Sequence, residues 1–188
     1  MNPLAPVNNI RIHIPHHTSI DQPDITNPTS RTLMEPWNTA LRRGLVGGTA
    51  ASLLSTAALA ALGKRESGSA YAPTNAVSHW IWGDQAFRQH TPSLRHTLSG
   101  YLIHHGCSVF WAAIFERLCG GLLDRKEAPL TLGVAGSAAA VACLVDYQCT
   151  PKRLQPGYEQ HLSRPSLALV YGGFGLGLAL GAMLCRRG

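Results

Sequence analysis

The residues best placed to do chemistry lie in an apolar run at residues 97–115, TLSGYLIHHGCSVFWAAIF. Tyr101, His105, Ser108, Ala112 and Glu116 recur there and just beyond it at helical spacing, which predicts one polar or small stripe. Ionisable groups are costly in hydrocarbon, so such a stripe is expected to face other helices or a polar path. The chemistry open to it is interhelical hydrogen bonding, proton carriage or ligand contact. His105 and Glu116 stand about 16 Å apart along a helix axis, too far to share a proton or a metal ion. His104 projects to another face with Gly100, Cys107 and Trp111. The other apolar runs contain no histidine, so neither a metal nor another cofactor is expected in the membrane.

Two polar segments hold the remaining candidates. Residues 73–90 read PTNAVSHWIWGDQAFRQH and supply His79, Trp80 and Asp84. Residues 146–165 read DYQCTPKRLQPGYEQHLSRP and supply Asp146, Lys152, Arg153, Tyr158 and Glu159. An ion pair from Asp84 to Lys152 or Arg153 would tie the two together. No nucleophile–base spacing and no histidine-rich metal motif appears, so no catalytic residue is assigned.

The elements that must position these groups follow from hydropathy. The chain has 188 residues, a net charge of +6 and only 14% charged residues, well under the usual quarter for soluble domains. Its mean hydropathy of +0.02 hides segregation. Four long apolar runs, at about 44–62, 97–121, 128–146 and 165–185, are separated by polar stretches. Runs of this length match a hydrocarbon core of about 30 Å. The first, third and fourth are apolar on every face, unlike helices of a soluble bundle.

The expected fold is therefore all-α: a polytopic membrane protein, a bundle of about four transmembrane helices. Val77, Trp80, Ile81 and Phe87 at helical spacing predict one further amphipathic helix lying in the interface. Residues 1–40, with Pro3, Pro6, Pro15, Pro23, Pro28 and Pro36, read as a disordered tail before a domain at 41–188. With four spans, the two polar segments fall on the same side of the membrane.

Gly173, Gly177 and Gly181 share one helical face, and small residues at that spacing allow close helix packing in lipid. Basic residues occur in ones and twos at the ends of the apolar runs, as membrane anchors do, and not as one nucleic-acid-binding face. Arg42, Arg43, Arg117, Arg125, Lys126, Arg186 and Arg187 fall on one side. Lys64, Arg65, Arg95, Lys152, Arg153 and Arg164 fall on the other. The balance leans towards cytoplasmic termini. The five cysteines form no C-x-x-C pair and read as small buried thiols.

In the motifs PTNAVSHWIWGD and DYQCTPKRLQPGYEQHLS the chain resembles small uncharacterised four-span inner-membrane proteins of Gram-negative bacteria. The resemblance implies a bacterial inner membrane and carries over no activity or catalytic residue. The functional expectation is a non-enzymatic accessory or self-associating scaffold, with the bilayer and another membrane protein or a second copy as partners. The alternative is a small oligomeric transporter or channel with a polar path along the second span.

Overall fold

The computed structural model describes residues 34–187. The segment expected to be disordered lies mostly outside the described residues. Its last part is helical, because the first helix already begins at Trp37.

Four long helices form the bundle: α1 (Trp37–Ser67), α4 (Ser99–Leu123), α5 (Ala128–Leu144) and α6 (Arg164–Leu184). Two short helices, α2 (Ala72–Val77) and α3 (His79–Trp82), follow α1. Wider π turns at Leu94–Leu98 and Val145–Cys149 extend α4 and α5 at that same end. No strand occurs among the described residues. Four of these stretches are long and apolar enough to cross a membrane. At 31 residues, α1 runs about 46 Å and overshoots the hydrocarbon at both ends. It stops at Gly68, whose φ of 74° is the left-handed geometry a helix C-terminus favours.

Small residues set the packing. Cβ atoms at Gly177 and Gly181 would lie 2.3 Å from the Cα atoms of Ala51 and Gly47, so α6 crosses α1 backbone against backbone. On its neighbouring face α1 meets α4 in the same way: Gly44 lies against Ala113 and Gly48 against Val109. Without a hydrophobic drive between helices in lipid, this close van der Waals contact holds the bundle together. The glycine face of the fourth span thus finds its partner inside the chain. α5 packs mainly on α6, where Gly175 meets Ala139, and turns most of its surface outward.

The segment 73–90 is not one helix. Gly83, at φ 71°, separates α3 from a 3-10 stretch, and every residue of α2 is buried. α2 is wedged between α1 and the start of α4, so closely that a Cβ at Gly100 would lie 2.1 Å from the Thr74 carbonyl oxygen. Asn75, fully buried, organises this cap. Its amide donates to the carbonyls of Gln89 and Thr91, both at 3.0 Å, and its oxygen accepts from Thr97 at 2.6 Å. Glu66, at the end of α1, accepts from the Ser163 N–H at 2.7 Å and from the Ser166 hydroxyl. That carboxylate caps the N-terminus of α6.

Candidate functional site: a cavity under the cap

The two polar segments meet at the capped end. Arg153 donates to the carbonyls of His79 (2.6 Å) and Trp80 (3.1 Å), and the Trp80 indole donates to the Gln155 carbonyl at 3.1 Å. Asp84 is exposed, and among the described residues it pairs with neither Lys152 nor Arg153. Lys152 and Glu159 also point outward, while His79 is buried with its Nδ1 2.8 Å from the Ala76 carbonyl.

Beneath this cap lies a cavity of about 260 Å³ between α4, the end of α5 and α6. His104 is the polar centre of its inner wall. Its Nε2 is 2.9 Å from the Ser55 hydroxyl on α1, and its Nδ1 is 2.7 Å from the Tyr158 hydroxyl. One proton arrangement satisfies every group. Ser55 donates to the Ala51 carbonyl at 2.7 Å and accepts from Nε2–H, so Nδ1 is left to accept from Tyr158. Burial pushes the Tyr158 phenol well above its usual value of 10, which keeps its proton in place for that bond.

This arrangement is not a catalytic triad. Ser55 spends its hydrogen on a carbonyl, and Tyr158 gives a proton to the ring where a triad carboxylate would take one. His104 is therefore not poised as a base towards Ser55.

Asp146 lines the opposite wall from within the π turn, where the wider ring places it beside the cavity. It accepts from the Tyr171 hydroxyl at 2.5 Å. Phe110 is 60% exposed and Leu154 47%, so the cavity reaches the outer surface beside them.

The buried face of α4 runs through Gly100, His104, Ser108, Ala112 and Glu116. Ser108 and Glu116 of the expected stripe lie on it, but its upper part passes through His104, not His105. Tyr101 and His105 sit at the edge of the interface with rings 5.8 Å apart, and the Nδ1 of His105 has no partner. Successive helical residues differ by about 100°, so the pattern alone left two faces for two adjacent histidines. Gly100 decides between them, because only its face can approach the Thr74 carbonyl.

Glu116 lies at the other end of the bundle, in an ion network. Arg186 binds both of its oxygens, at 2.9 and 3.1 Å, and reaches Asp124 at 2.9 Å. Arg43 joins Asp124 to Glu35, at 3.4 and 3.3 Å. Burial alone would raise the Asp124 carboxyl, but Arg186 and Arg43 outweigh it and hold it below its usual 3.8. A carboxyl lowered by folding contributes stability above its unfolded value, and that contribution disappears as pH falls through the folded one. Asp124→Asn is therefore expected to lower the unfolding midpoint at pH 7, and the gap to wild type should close below about pH 3.8. A gap unchanged from pH 7 to pH 3 would show that the carboxylate is not what the substitution removes.

Fold and cavity together define the class: a polytopic α-helical membrane protein with four candidate spans and a cavity at one end that opens to the outer surface. No family model matches the chain, and neither the curated proteins nor the solved structures contain a match to it. Among the described residues, no three His, Cys, Asp or Glu side chains converge as metal ligands.

Proposed function

We propose that this protein binds a small, largely apolar molecule within the membrane, in the cavity between α4, α5 and α6. The observation that carries this reading is the cavity itself: apolar walls with polar groups gathered at His104 and Asp146, the usual composition of a ligand site. A cavity near 150 Å³ takes a benzene, so 260 Å³ suits a ligand of roughly ten heavy atoms. An accessory or scaffold role rests on less, because the Gly173/Gly177/Gly181 face is taken up by α1. A path along α4 is closed at its base by the Glu116–Arg186 pair. A bacterial inner membrane with cytoplasmic termini is proposed from the resemblance and the basic residues; a C-terminal reporter active only in the cytoplasm tests it.

The cavity is tested by titrating the purified protein in maltoside with neutral, cationic and anionic aromatics of about ten heavy atoms, following fluorescence of its tryptophans. At least one probe should bind saturably, and Cys107→Phe, which fills the cavity, should abolish that binding. Linear partitioning of all three probes would overturn the reading.

A further inference from the structure

The hydrogen-bond inventory of the cavity is lopsided. Its hydroxyl donors are spent inside the protein: Ser55 on Ala51, Ser108 on the His104 carbonyl, Thr150 on Val145, Tyr158 on His104 and Tyr171 on Asp146. The His104 N–H goes to Ser55 in the same arrangement. Among the described lining residues, the Trp111 indole and the Cys107 thiol are the donors left. The one charged acceptor among the described lining residues is Asp146, whose carboxylate is satisfied on one oxygen by Tyr171.

No Lys or Arg lines the cavity, and among the described residues none pairs with Asp146. An aspartate within a span, half-buried and without a counter-charge, is expensive and marks a functional position. Six aromatic side chains, Trp80, Phe110, Trp111, Tyr158, Tyr171 and Phe174, share the remaining lining with aliphatic ones. Aromatic faces carry negative potential and attract cations, most strongly where water is excluded.

We infer that the cavity is selective for organic cations, an amine or quaternary ammonium on an apolar body, with Asp146 as the counter-charge and the aromatic rings around it. The inference rests on the binding role proposed above and adds the chemical class of the ligand. A spare acceptor, the near absence of free donors and the aromatic faces in the lining disfavour an anion, and an uncharged ligand would leave the carboxylate without compensation.

The test compares two probes of the same shape, benzyltrimethylammonium and neopentylbenzene, which differ by N⁺ for carbon. Both are titrated into the full-length protein in maltoside, and into Asp146→Asn, where Tyr171 can still donate to the amide oxygen. The cation should bind the unaltered protein about tenfold or more tightly than its neutral twin. Asp146→Asn should bring the two within about threefold while neopentylbenzene binds as before.

Equal affinities in the unaltered protein, or tighter binding of the neutral probe, would overturn cation selectivity and leave the binding role standing. Binding of neither probe would overturn cation selectivity, and the binding role with it if the anionic aromatic also only partitions linearly. A cation preference that survives in Asp146→Asn would overturn the assignment to Asp146. Should that variant fail to fold, the comparison on the unaltered protein still decides selectivity, and Trp111→Leu should narrow it severalfold if the rings contribute.

Discussion

Replacing Arg186 by Met is expected to destabilise the bundle by about 3 kcal/mol or more. The Arg186 side chain is 5% exposed and its partner Glu116 is 2% exposed. Glu116 is bound through both oxygens, and Arg186 is the one cation that reaches it among the described residues. Without that guanidinium, a carboxylate is left inside a span with no opposite charge. Both of its oxygens then lose their hydrogen bonds and stay buried at high desolvation cost. Glu116→Gln should cost less, about 1–2 kcal/mol. Arg186 would then still hold Asp124 at 2.9 Å and the Ala182 carbonyl at 3.2 Å. The double variant Glu116→Leu/Arg186→Met should recover most of the loss, since a buried ion pair replaced as a unit by apolar groups is often near neutral. Thermal unfolding in maltoside gives the order. Equal losses from the two single changes, with no recovery in the double, would show that the pair does not act as a unit.

Much of this network is invisible to sequence reading, for a definite reason. Arg186 reads as one more basic anchor at the end of an apolar run, a pattern shared by Arg42, Arg43, Lys64 and Arg65. Its pairing with Glu116, 70 residues earlier, depends on α4 and α6 running parallel in matched register. Hydropathy locates the spans, because a long uncharged run must be covered by lipid or protein. It does not locate helix ends: α1 continues through Arg42 and Arg43 at one end and through Lys64, Arg65 and Glu66 at the other, all good helix formers outside the hydrocarbon.

The cap shows the same limit. Apolar spacing at Val77, Trp80, Ile81 and Phe87 suggests one face of a surface helix. The backbone instead turns at Gly83 and buries α2 on all sides. Asn75, the residue that ties this cap together, carries no spacing signal, because its three partners lie 14, 16 and 22 residues away. The cavity was half legible. Asp146 at the end of the third run and Tyr158 beyond it stand out as polar residues, whereas the pairing of His104 with Ser55 across 49 residues follows only from the α1–α4 crossing.

That crossing geometry also sets the effect of enlarging α6. Gly177→Leu is expected to prevent the native bundle from forming, and Gly177→Ala to cost about 2–3 kcal/mol. A Cβ at Gly177 would meet the Ala51 Cα at 2.3 Å and the Ala51 nitrogen at 2.5 Å. Both are backbone atoms near the middle of α1, with no side chain to swing aside, so the two helices must separate. Separation would also loosen the Gly181–Gly47 contact a turn away, so the loss spreads along the interface. Neighbouring glycines should respond with different signs. At Gly173 the nearest atom is the Leu54 carbonyl oxygen at 3.5 Å, an ordinary contact, and alanine there should be nearly neutral. Gly172 has nothing within 4 Å, and alanine there should stabilise by up to about 1 kcal/mol through helix propensity. Unfolding midpoints of the three alanine variants test the ordering. A Gly177→Ala protein as stable as Gly173→Ala would mean that α1 and α6 are not in backbone contact. A wild-type fold in Gly177→Leu, with loss of an oligomer, would instead place that glycine face between copies of the chain. Because Gly177 faces α1 directly, the expected readout is loss of the monomer's own fold.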